Sequence, residues 1–161
     1  MIDQNRRTVL KAALAGGVLA GVAGSGLLMP SRLLAASSGD AFMATTLSDA
    51  LNAVYAGASL DNTETDAISF EDTKEKPANA RSVQISVSSK VPNTKSISIF
   101  IEKNPRPLLA RFQFESNAIP TVQTRAKMKE TSRAIAVIED TSGKLHSRAM
   151  TITVTESGCA A

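Results

Sequence analysis

The 161-residue sequence contains one cysteine, one histidine and no tryptophan, and its aromatic side chains are five phenylalanines and one tyrosine. A single cysteine excludes an intramolecular disulfide framework. One cysteine and one histidine do not make a Cys/His zinc site, and no HExxH motif is present. No glycine-rich loop follows a strand and opens a helix, so a nucleotide site has no support. The aromatics do not interleave with a basic stripe, as a surface for single-stranded nucleic acid requires. Acids such as Glu71, Asp72 and Glu75 read as solvated surface, since nothing in the sequence gathers them around a cleft. His146, close to Lys144, reads as an ordinary surface residue.

The formal charge of +3 carries little information once the N-terminus is set apart. Residues 1–36 have the order of an export signal: charged Asn5-Arg6-Arg7-Thr8-Val9-Leu10-Lys11, an Ala/Gly-rich apolar stretch from Ala12 to Met29, then small residues Ala35, Ala36, Ser37 and Ser38. The Arg6-Arg7 pair resembles a twin-arginine signal, with Asn5 and Val9 departing from its usual flanks. A retained anchor is the rival reading, but the stretch is crowded with glycine and leads into cleavage residues. Removal of 1–36 takes four bases (Arg6, Arg7, Lys11, Arg32) from 18 and one acid (Asp3) from 15, leaving 14 of each. The mature domain, expected over residues 37–155, is formally neutral and gives no argument for a polyanion partner. Its length suits one core rather than two.

Asp40 to Ala56 predicts one helix, with Phe42, Met43, Leu47, Leu51, Val54 and Tyr55 on an apolar face and Gly57 as its stop. From Ile68 the hydrophobic period changes to two. Strands are expected over 82–88, 96–101, 108–114, 122–128, 134–138 and 147–155. In the fourth-named alternation, Val122, Thr124 and Ala126 face away from Gln123, Arg125 and Lys127; in the third, Leu108, Ala110, Phe112 and Phe114 oppose Arg111 and Gln113. Alternation of this kind predicts strands covered on one face, as in antiparallel sheets. Asp140-Thr141-Ser142-Gly143 is a hairpin turn signal. Prolines at 92, 105, 107 and 120 fall where loops are expected. The pattern predicts a mainly β protein, an immunoglobulin-like antiparallel sandwich with one N-terminal helix, a small barrel being the competitor.

Cys159 stands beyond the last strand in Ser157-Gly158-Cys159-Ala160-Ala161, within an expected flexible tail over 156–161. An unpaired cysteine in an exported protein points to an intermolecular bond or a reactive thiol. Gly158, Ala160 and Ala161 flank it with little bulk, so it could enter a narrow site in a partner. The neighbouring residues include no base or oxyanion donor to make it an enzyme nucleophile. Three readings follow: a covalent carrier, an exported subunit whose cysteine links a dimer, and a thiol enzyme.

The ordered set Ile97-Ser98-Ile99-Phe100, Asn104-Pro105-Arg106-Pro107-Leu108-Leu109-Ala110-Arg111-Phe112, Lys129-Glu130-Thr131-Ser132, Gly143-Lys144-Leu145-His146-Ser147 and the cysteine tail resembles the SoxY family. The resemblance implies a non-catalytic carrier of the bacterial thiosulfate-oxidising system, located in the periplasm and without a cofactor of its own. It implies that Cys159 holds the sulfur intermediate. It also implies partners: a SoxZ-like β-sandwich subunit, a haem c SoxAX-like enzyme, a manganese-dependent SoxB-like hydrolase and, in some pathways, a sulfur dehydrogenase. The family tail is Gly-Gly-Cys-Gly-Gly. Ser157, Ala160 and Ala161 depart from it, each narrowing backbone freedom relative to glycine.

Overall fold

The computed structural model describes residues 37–71 and 78–155. The expected export segment and the expected tail, Cys159 included, lie outside the described residues.

Two helices, α1 (Ser37–Met43) and α2 (Leu47–Tyr55), precede seven strands: β1 (Ile68–Glu71), β2 (Val83–Ser89), β3 (Thr94–Ile101), β4 (Leu108–Gln113), β5 (Thr121–Ala126), β6 (Ser132–Asp140) and β7 (Leu145–Ile152). All strand pairs are antiparallel. They form a three-stranded sheet in the order β1-β2-β5 and a four-stranded sheet in the order β4-β3-β6-β7. Between the sheets lies a core of Ile68, Val83, Ile85, Val87, Ile97, Ile99, Ile101, Val122, Ala136 and Ile138, joined by Met128 and Ile152. The immunoglobulin-like sandwich expected from the alternation is the architecture found.

Three local expectations need correction. The single helix over Asp40–Ala56 is two, broken at residues 44–46. Thr46 adopts an extended conformation (φ −119°, ψ 152°) and caps α2. Its hydroxyl oxygen accepts from the Asp49 amide at 3.1 Å, and its O–H donates to the Asp49 carboxylate at 2.7 Å. That reciprocal bond outweighs helical continuity for a β-branched Thr-Thr pair. The break leaves Phe42 and Met43 exposed at 39% and 59%, off the apolar face where they were expected. At the other end of α2, Ala56 and Gly57 turn left-handed (φ 51° and 83°), so the expected stop holds.

β4 does not keep one face. Ile99 lies opposite Ala110 but Phe100 lies opposite Leu108, so Leu109 is an inserted residue. Leu108 consequently joins Phe100 on the outer side of the sheet, while Leu109, Phe112 and Phe114 pack against the inter-sheet core. A period-2 reading cannot register a bulge, because the extra residue reverses every side chain beyond it. The short strand β1 was not foreseen as a separate element, four residues being too few to display a period.

Coverage of the two sheets also differs from expectation. β5 alternates cleanly, as a strand with one solvated face does. β3 and β6 are instead buried on both faces over most of their length. The second cover is the helical pair. Ala41, Ala50 and Tyr55 join Phe100, Leu108, Ile135, Val137 and Leu145 in a second cluster, with Leu47, Leu51 and Val54 packed against it. The apolar helix face therefore rests on the domain's own sheet.

Candidate functional site

The sequence-predicted site residues, Cys159 with Gly158, Ala160 and Ala161, lie outside the described residues. What the structure places is the ground from which the tail departs. β7 starts at the Asp140–Lys144 turn and ends at Ile152, beside Ser132 at the start of β6. The chain therefore leaves at the end of the sandwich built by the β3–β4 loop, the β5–β6 loop and the segment leading into β2.

These pieces are tied together by specific bonds. Asn104 donates from Nδ2 to the Lys127 carbonyl at 2.9 Å and accepts at Oδ1 from the Lys129 amide at 3.0 Å. The Ser132 hydroxyl accepts from the Lys103 amide at 3.0 Å. The Met128 amide reaches the Ala80 carbonyl at 2.8 Å, with the Met128 side chain fully buried. The departing strand is held in turn. The Val154 amide donates to Thr131 Oγ1 at 3.1 Å. Ala78 N donates to the Thr153 carbonyl at 2.9 Å, and Thr155 N to the Ala78 carbonyl at 3.1 Å. Thr155 is the last residue so held among the described residues, and Cys159 follows it by four residues. Four extended residues span at most about 14 Å, which bounds the distance from the Thr155 Cα to the Cys159 Cα.

The motifs Asn104-Pro105-Arg106-Pro107 and Lys129-Glu130-Thr131-Ser132 thus meet at this end. Reading them in sequence missed the roles of Asn104 and Thr131. An asparagine before a proline signals a turn, but only the register of β3 against β6 brings the second loop within its reach.

Elsewhere several polar groups have structural partners, while Ser98 Oγ and Arg111 Nε are buried without a hydrogen-bond partner among the described residues. Beneath α2, Glu139 takes bonds from Lys95 at 2.6 Å and Arg111 at 3.0 Å. The Arg111 guanidinium lies 5.7 Å from the centre of the Tyr55 ring. The Tyr55 hydroxyl donates to the Val137 carbonyl at 3.4 Å. Burial pushes the Tyr55 phenol up from 10.0 to about 12, opposed by the Ser98 hydroxyl and the Arg111 charge and assisted by Glu139. His146 pairs with Asp140 at 3.2 Å. Asp140 also accepts from the Ser142 hydroxyl at 2.5 Å and from the Ser142 and Lys144 amides. The Ser142 hydroxyl first, and His146 second, hold the Asp140 carboxyl well below the usual carboxylate range. His146 is therefore a brace of the hairpin rather than a free surface residue.

An open cleft of about 510 Å³, lined by Lys90, Asn93, Phe114, Asn117 and Thr141 among others, lies at the hairpin end, opposite the tail's exit. Among the described residues, no group of three or more His, Cys, Asp or Glu side chains could hold a metal ion. No helix among them is long and apolar enough to cross a membrane.

The sequence model of the family described as "Sulfur oxidation protein SoxY" matches residues 53–159, a span that reaches Cys159. No curated protein matches the chain. Among solved structures, the chain is similar to the sulfur carrier protein SoxY from Chlorobium limicola f thiosulfatophilum. The identity is 29% and the TM-score 0.60, over 71% of this chain and 96% of that one. A superoxide reductase (neelaredoxin) from Ignicoccus hospitalis matches at 24% identity over 63% of this chain and 90% of that one. Its TM-score is 0.48. With a family match over residues 53–159 and a sandwich superposable on that of a SoxY protein, the chain belongs to the SoxY family of sulfur oxidation proteins.

Proposed function

We propose that this protein is a covalent carrier of sulfur intermediates in thiosulfate oxidation, with its cargo on the Cys159 thiol. The observation that carries the reading is the tail root. The domain holds the chain through Thr155, and four residues further on stands Cys159, the last residue that the family model matches. A domain anchored in this way supplies tethering, which raises the effective concentration of the bound intermediate at a partner's site. The chain is a carrier subunit rather than an enzyme, and chemistry on the cargo belongs to its partners. Coupling thiosulfate to the thiol as an S–S bond releases two electrons, which a haem c partner of the SoxAX type accepts. A manganese-dependent SoxB-like hydrolase then removes the terminal sulfone group as sulfate. A SoxZ-like sandwich subunit is the expected companion, and a sulfur dehydrogenase acts in pathways that have one. Residues 1–36 direct the chain to the periplasm and are removed.

The test is intact mass, with and without reductant, of protein purified from cells oxidising thiosulfate. Reductant-removable sulfur or thiosulfate adducts should map to Cys159 and be absent from Cys159→Ser. The same masses should place the N-terminus near Ser37. If Cys159 is found only free or linked to a second copy while thiosulfate is consumed, the carrier reading fails. The chain is then an exported sandwich subunit joined by a disulfide.

A further inference from the structure

The mature chain has as many acids as bases, but the fold does not mix them evenly. Residues 37–71 contain Asp40, Asp49, Asp61, Glu64, Asp66 and Glu71 and no lysine or arginine. The end from which the tail departs has the reverse balance. Its loops and strand termini carry Arg81, Lys103, Arg106, Lys127, Lys129 and Arg133, all exposed, against Glu102 and Glu130. Lys103 pairs with Glu130 at 3.3 Å and Arg133 lies 3.9 Å from Glu102. Among the described residues, Arg81, Arg106, Lys127 and Lys129 have no ion-pair partner. The bonds from Asn104 to Lys127 and Lys129, and from Met128 to Ala80, gather these cations onto one end. Pro105 and Pro107 restrict the backbone on either side of Arg106. The acids that could offset them are few: in sequence, Glu156 stands three residues before Cys159, and residues 72–77 carry two charges of each sign.

We propose that this basic end, at the root of the segment that carries Cys159, is a non-covalent collecting surface for small divalent sulfur oxoanions. The proposal rests on the carrier reading and deepens it. The bound of about 14 Å between the Thr155 and Cys159 Cα atoms exceeds the screening length of about 8 Å at physiological salt but lies well inside the roughly 30 Å at 0.01 M, so the attraction is strongest at low salt. A cargo that is doubly charged in solution and keeps a sulfonate once attached is attracted in both states. A surface of one sign raises the local concentration of the oppositely charged reactant.

Tetrathionate is a direct probe, because its reaction needs neither partner nor oxidant. The Cys159 thiolate attacks one of its two central sulfurs and a new S–S bond forms. The central S–S bond breaks, and thiosulfate leaves with the electron pair. The enzyme-free product is Cys–S–S–SO₃⁻. A bare thiolate and a dianion repel each other, so added salt speeds their reaction. A cationic surround reverses that sign. For the full-length mature protein, the rate with tetrathionate should therefore fall as salt is added, while the rate with neutral 4,4′-dithiodipyridine stays level. The variant R106E/K127E/K129E should lose about ten-fold in the tetrathionate rate at low salt and keep its rate with the neutral probe. The pair K90E/K144E, at the opposite end, should change neither. A tetrathionate rate that rises with salt in the unaltered protein overturns the proposal, whether or not the triple variant folds. So does a triple variant with the unaltered ratio of the two rates. Failure of the carrier reading looks different: Cys159 in thiosulfate-grown cells then bears no cargo, whatever these rates are.

Discussion

Tyr55 is the chain's one tyrosine, so its phenol can be followed separately in the ultraviolet. With the folded value raised to about 12 from 10.0, the unfolded chain ionises first as the pH rises. The stability tied to this group is complete below pH 10 and is lost as the pH climbs from 10 towards 12. Absorbance titration of the folded protein should show the phenolate appearing near 12; an ordinary titration at 10 would mean that α2 does not bury the ring. Asp140 works with the opposite sign. Its folded value is depressed, so its contribution is present above the ordinary 3.8 and disappears as the pH falls. Urea midpoints of Asp140→Asn and the unaltered protein should differ at neutral pH and converge in acid. A constant gap would show that the carboxylate's charge is not what matters in the hairpin.

At the scale of elements, the loops at the tail root depend on one side chain. Asn104 satisfies a carbonyl and an amide in the β5–β6 loop. Asn104→Ala should cost about 1–2 kcal/mol in chemical denaturation, with faster amide exchange at Lys129 as its local signature. Unchanged exchange there would remove Asn104 as the clamp. The expected strands were largely legible from alternation, because each needs only local sequence to display its period. The helix break and the β4 bulge were not. Thr46 carries an N-cap signal with Asp49 three residues on, but Phe42 and Met43 extend the helical period straight through it. The insertion at Leu109 exists only against β3.

For the whole molecule, the helices complete the four-stranded sheet. Phe100, Val137 and Ile135 face them and would otherwise meet water. A chain lacking residues 37–57 should lose on the order of 5 kcal/mol or more of unfolding free energy. It should also bind a hydrophobic dye. An unaltered midpoint with no dye binding would show that the helical cover is dispensable. The same layering explains Ser96 and Ser98, which are fully buried although alternation marks them as solvent-facing. Sequence period reports which residues share a side, not whether a second layer covers it.

The candidate site divides in the same way. A lone cysteine flanked by small residues needs no fold to be noticed, because its isolation is a property of the chain. The strand pattern and the ordered family motifs are likewise written locally, since period, turn chemistry and residue order are all carried by neighbours along the chain. The tertiary structure decided what surrounds the tail's origin. Asn104, Thr131 and Ala78 are distant in sequence and become neighbours only through strand register. The charge at that end follows from the same cause: acids and bases that cancel in a sum over residues 37–161 are separated in space by the antiparallel path, which brings loops from alternate connections to one end of the sandwich.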